Sequence, residues 1–77
     1  MEKVRVDKTL DIKGISSPRL QELTVNTMES MYSGQVLRVI TDDSSTRTTI
    51  PALCNKCGYV LMETEEYDGA LYYTIRK

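Results

Sequence analysis

The stretch Asp11-Ile12-Lys13-Gly14-Ile15-Ser16-Ser17-Pro18-Arg19-Leu20 changes its hydrophobic period partway through, from the alternation of a strand to the spacing of a helix. Leu10 and Ile12 close the strand side. Gly14 gives the backbone freedom that a tight turn needs. Ser17 then reads as an N-cap and Pro18 as the first helical residue, whose missing N–H costs nothing there. A side chain at position 17 stands over unpaired helix N–H groups, at the positive end of the macrodipole. Lys13 and Arg19 add positive charge on either side. A thiol there would be drawn towards thiolate. This chain has a hydroxyl instead.

Upstream of that turn, Val4, Val6, Leu10 and Ile12 share one parity, with Arg5, Asp7, Thr9 and Asp11 on the other. That is the pattern of a half-buried strand, and Lys8 on the apolar side means that the strand begins near it or carries a bulge there. Downstream, Leu20, Leu23, Thr24, Thr27, Met28 and Met31 define the inner face of an amphipathic helix, stopped by Ser33-Gly34. The methionines read as core filling rather than a soft-metal site.

Val36-Leu37-Arg38-Val39-Ile40-Thr41 is β-branched and apolar, as a central strand would be. Arg38 sets its parity: Leu37 and Val39 face in, Val36 and Ile40 lie on the open face. Asp42-Asp43-Ser44-Ser45 is a turn and N-cap cluster. A second helix is expected from Thr46 to Cys57, weak in its first half and stable from Pro51 on, with Gly58 as its cap. Tyr59 to Glu65 and Ala70 to Arg76 read as a hairpin about Tyr67-Asp68-Gly69. The order is β-α-β-α-β-β. Two βα units require parallel strands with both helices on one side. The expected fold is an α/β two-layer sandwich: a four-stranded mixed sheet with two helices packed on one face, as a single domain over residues 1–77. The other face should be largely bare, exposing Val36, Ile40, Tyr72 and Thr74.

Bulk properties exclude several function classes. Ten basic and eleven acidic residues give a net charge of −1, which offers no global attraction to nucleic acid or anionic membranes. Lys3, Arg5, Lys8 and Lys13 read as solvated rim charges, and the five tyrosines are not interleaved with a basic stripe, so no direct nucleic-acid binding is expected. No apolar run approaches the ~20 residues of a bilayer span. Met1-Glu2-Lys3-Val4-Arg5 has no apolar leader core, so a cytoplasmic protein is expected. The two cysteines, three positions apart, are no disulfide framework. With no histidine, Ser-His and Cys-His nucleophilic catalysis within one chain are excluded.

The pattern Leu10-Asp11-Ile12-Lys13-Gly14-Ile15-Ser16-Ser17-Pro18 resembles the opening of the TusA/SirA-like sulfur-carrier family, approximately L-D-x-R/K-G-x-x-C-P-x-P. The likeness continues in register through Gly34-Gln35-Val36-Leu37 (G-E-V-L), Thr41-Asp42 (T-D) and Ile50-Pro51-Ala52-Leu53-Cys54 (I-P-x-x-C). It ends at Gly58 and Tyr73-Thr74-Ile75-Arg76-Lys77. The resemblance implies persulfide relay. The family's CPxP cysteine takes sulfane sulfur from a cysteine desulfurase or another thiol carrier and passes it on, for example towards thiolation of the tRNA wobble uridine. No cofactor or metal is implied.

Around the carrier position the resemblance places Asp11, Lys13, Gly14, Pro18 and Arg19 as motif and anion-site residues. The carrier position itself is Ser17, and a serine hydroxyl cannot carry persulfide sulfur. Position 17 is therefore an engineered replacement or a natural loss. Other positions depart as well: Leu20 stands for the second proline, Leu23 and Val25 for basic residues on helix one, Asp43 for the proline after T-D, and Tyr59 for the histidine after Gly58.

Cys54-Asn55-Lys56-Cys57 places two sulfurs one turn apart at the end of the second helix. They are open to three readings: buried structural thiols, a redox or sulfur-handling pair, or half a metal site. A helix C-terminus opposes thiolate formation, and zinc would lack ligands. The chain is thus expected to be a sulfur carrier by lineage. The alternatives are a non-catalytic module docking sulfur-transfer partners, or a thiol switch run by Cys54 and Cys57.

Overall fold

A computed structural model describes residues 5–77; Met1, Glu2, Lys3 and Val4, with the strand parity and rim charge read from them, lie outside the described residues. Six elements follow in the expected order: β1 (Lys8–Asp11), α1 (Arg19–Glu29), β2 (Val36–Thr41), α2 (Thr46–Cys57), β3 (Val60–Tyr67) and β4 (Ala70–Arg76). The sheet runs β1-β2-β4-β3. β1 pairs parallel with β2, and β4 pairs antiparallel with both β2 and β3. The last strand therefore lies between β2 and β3, and α2 crosses over it. β1 starts at Lys8, the residue that interrupts the apolar parity.

Leu20 and Met28 of α1, Ile50 and Cys54 of α2, and Leu37, Val39, Leu71, Tyr73 and Ile75 of the central strands form one buried cluster, so both helices cover the same face. Two boundaries move. α1 ends at Glu29, with the Ser30 N–H bonding back to Asn26, short of the expected stop; Gly34 serves a separate turn beyond it. α2 is continuous through Pro51 rather than weak before it. Tertiary burial overrides propensity there: Thr46 and Ile50 are fully buried. The Tyr73 hydroxyl lies 2.8 Å from Thr46 Oγ1, which itself lies 2.6 Å from the Asp43 carbonyl oxygen. The β3–β4 hairpin closes through Asp68 and Gly69, both at positive φ, as a two-residue turn requires.

The helix-free face is less bare than its sequence suggests. Val36 is 6% and Thr74 1% exposed; Ile40, Tyr72 and Arg38 are half-buried. In the register Val36 stands opposite Arg76 and Thr74 opposite Arg38, and long stems of this kind shield short neighbours in mid-sheet. Large exposed apolar side chains remain at the β3 edge of this face, where Val60 stands opposite Arg76 and Tyr67 opposite Ala70; Met62, at the bulge of β3, and Tyr32, after α1, are exposed as well.

Candidate functional site

Because β1 and β2 are parallel neighbours, the turn into α1 and the turn into α2 leave the same edge of the sheet side by side. Gly14, at φ +86°, can hold the left-handed conformation that an L side chain resists, and its N–H donates to Asp42 Oδ1 across 3.0 Å. This bond ties the two turns together. Asp11 receives the backbone N–H of Lys13 at Oδ1 and its ammonium at Oδ2, each at 3.2 Å. The N–H bond, and next the ammonium, hold the Asp11 carboxyl below the usual range. Lys13 is therefore engaged with Asp11.

Ser17 is exposed at the end of this turn, and its peptide bond to Pro18 is cis. The expected cap is not formed. Pro18 takes the N-cap position, α1 begins at Arg19, and no side chain caps the helix. The reason is local: Leu20 N–H already donates to the Ser16 carbonyl and Glu22 N–H to that of Pro18, while the Ser17 hydroxyl faces Gln21 Nε2 at 3.4 Å. Arg19 is exposed.

Asp43 is the residue that sequence reading undervalued at this site. Its Oδ1 accepts the Ser45 hydroxyl at 2.7 Å and the Ser45 N–H at 2.9 Å. These bonds hold its carboxyl below the usual range. The structure thus brings Gly14 together with Asp42, and a turn expected to be cationic takes a carboxylate from the neighbouring βα turn. The signal was available in the βαβ topology, which puts successive βα turns on one edge, and in the Asp42-Asp43 pair itself.

The two cysteines separate. Cys54 is 3% exposed within the core cluster; burial, and to a lesser degree the neighbouring Cys57, pushes its thiol up to about 11. Cys57, one turn on, is exposed. Tyr59 packs beside both, its phenol pushed up first by burial and then by Cys57. A buried thiol that keeps its proton is a poor nucleophile, so Cys54 is the less reactive member of the pair. Among the described residues no cluster of three or more His, Cys, Asp or Glu side chains is placed to hold a metal ion. Nor is any helix among them long and apolar enough to cross a membrane.

With that geometry in hand, comparison with known proteins is informative. The family described as Sulfurtransferase TusA matches residues 8–77. The sulfur carrier protein TusA of Pseudomonas aeruginosa is 38% identical over 72 residues, which span 94% of this chain and 91% of that protein. Its counterpart in Pseudomonas putida is 35% identical over 71 residues, covering 92% and 89% respectively. A longer protein of Aquifex aeolicus, named as a candidate sulfur carrier, is 38% identical over all 77 residues, and this chain spans 39% of its length. For the fold alone, the crystal structure of a SirA-like protein from Desulfitobacterium hafniense superposes with a TM-score of 0.80. It is 24% identical, over 90% of this chain and 95% of that one. The chain belongs to the TusA family of sulfur carriers.

Proposed function

We propose that this chain works in cytoplasmic sulfur transfer as a TusA-family protein whose carrier position is Ser17. It engages proteins that handle persulfide sulfur, a cysteine desulfurase or another thiol carrier, through the turn between β1 and α1. Relay of sulfur through that turn, towards a thiolated product such as the tRNA wobble uridine, requires a cysteine there. The chain as it stands docks without taking sulfur at position 17. The observation that carries this reading is that Ser17 is exposed where the turn enters α1, the position that the resemblance to the family's motif reads as the carrier. No contact with nucleic acid is part of it.

The test is a cysteine desulfurase supplied with L-cysteine. A persulfide step is balanced within the two proteins: the acceptor thiolate attacks the outer sulfur of the donor persulfide, and the donor cysteine leaves as thiolate. The S17C variant should gain one sulfur atom by mass, lost on reduction. The unaltered chain should gain none at position 17, yet should slow sulfur delivery from the same desulfurase to a TusA of ordinary sequence. An S17C variant that stays unloaded while that TusA is loaded would overturn the reading.

A further inference from the structure

Arg38 stands in the middle of the helix-free face, with Thr9 of β1 on one side and Thr74 of β4 on the other. It is half-buried, and its buried Nε has no hydrogen-bond partner among the described residues. Such a nitrogen is costly to leave unpaired, and arginine cannot shed its proton to escape the cost. The carboxylates two positions either side of Thr9 are committed elsewhere: Asp7 to Arg5 and the Val36 N–H, Asp11 to Lys13. Across β4 the face continues onto β3, where Glu65 stands opposite Tyr72 and Tyr67 opposite Ala70. Arg38, Glu65, Glu66, Tyr67 and Tyr72 line a cavity of about 290 Å³. Glu66 alternates to the helix side, opposite Leu71, and its carboxylate is held by Arg47 of α2. Neither Arg38 nor Glu65 forms an ion pair among the described residues.

We propose that this cavity binds a small zwitterion, an α-amino acid with an apolar side chain, its carboxylate on Arg38 and its ammonium on Glu65. A guanidinium can offer Nε and one Nη edge-on to two carboxylate oxygens, which gives the orphaned nitrogen its acceptor. A plain anion would meet the charge of Glu65, and a plain amine that of Arg38. A molecule carrying both charges satisfies each group and escapes both repulsions. The rings of Tyr67 and Tyr72 supply an apolar wall for the ligand's side chain. The volume lies at the lower end of the ~300–1,000 Å³ of small-molecule sites, so the fit is to something of amino-acid size. The site is on the sheet face away from the helices, and nothing in it depends on position 17 or on the sulfur-transfer reading.

The probe is L-phenylalanine, titrated into the isotope-labelled chain and read by NMR at the assigned Arg38 Nε–H resonance. For a ligand of about twelve non-hydrogen atoms on an open face, the dissociation constant should be on the order of 1 mM. Hydrocinnamate, which lacks the ammonium, and phenethylamine, which lacks the carboxylate, should each bind roughly tenfold more weakly or worse. E65Q should weaken phenylalanine by a similar factor and leave hydrocinnamate no weaker. R38K keeps the charge but not the two-nitrogen edge, and should weaken both. E66Q, whose carboxylate Arg47 already holds, should stay within about twofold of the parent. No shift of the Arg38 Nε–H in millimolar phenylalanine would overturn the proposal. So would equal binding of the three compounds, or an E65Q chain that binds phenylalanine as the parent does. Glu65 is exposed on an edge strand, so that last result holds whether or not the fold tolerates R38K.

Discussion

At the start of α1 an exposed oxygen ends a turn whose Gly14 N–H a carboxylate already uses; at the end of α2 a sulfur of the right kind is sealed in the core, one turn before an exposed one. Each region has part of what sulfur transfer needs. Position 17 has access and, in the proposed function, the carrier's placement, but not the atom. Cys54 has the atom but no access, and its thiol is held neutral up to about 11. Cys57 has atom and access but sits at the carbonyl end of a helix, without the free N–H donors of a helix start. The difference separates three requirements that one cysteine at a helix start would satisfy together: a sulfur, a path to it, and donors for its charge.

The largest effect that could break this contrast is the reactivity gap between the two native thiols. Cys57 should alkylate at the rate of an ordinary exposed thiol. Cys54 should react only through opening of the core, slower by on the order of a thousandfold or more for a domain of usual stability. Mass spectrometry after iodoacetamide should show one adduct on the folded chain and two in urea. Two rapid adducts without denaturant would mean that the end of α2 is open and that the contrast is wrong.

Stability sharpens the same contrast on a smaller scale. C54S places a hydroxyl among Leu20, Ile50 and Tyr73 and should cost about 1–3 kcal/mol. C57S should stay within about 0.5 kcal/mol of the parent. The pH dependence has a definite sign. Cys54 ionises near 9.0 when unfolded and near 11 when folded, so the unfolded chain loses its proton first as pH rises. The stabilisation is complete below the unfolded value and is lost as pH climbs from there through the folded one, by about 3 kcal/mol. Urea midpoints in that window should fall more steeply for the parent than for C54A. Parallel lines would show that the buried thiol does not titrate as described.

Much of this architecture was legible in the sequence because it rests on periodicity and punctuation. The switch of period at Gly14, the inward parity of Leu37 and Val39, Gly58 at the end of α2 and Asp68-Gly69 in the hairpin are all local signals, and each is met. What escaped was tertiary. Pro51 predicts a broken helix only if the first turn must stand on its own propensity; burial of Thr46 and Ile50 removes that condition. Val36 and Thr74 look exposed only if the sheet's second face is flat, and neighbouring Arg38 and Arg76 make it otherwise. At the candidate site the positions came from the motif's register, but the electrostatics did not. Lys13 and Arg19 are close in sequence to position 17; Asp42 lies about one helix further on and meets the turn only in three dimensions.

The smallest expected effect bears on the position where motif and local chemistry part. If Ser17 were the helix cap that its place before Pro18 suggests, S17A should cost about 1 kcal/mol. The structure gives the hydroxyl no such role: α1 has no side-chain cap, and the Ser17 oxygen has only a long contact from Gln21. S17A should therefore leave the urea midpoint within about 0.5 kcal/mol of the parent. A loss of a full kcal/mol would restore serine as a structural cap and explain its presence by folding alone. A neutral result leaves the oxygen without a structural task, which is what a vacated carrier position requires.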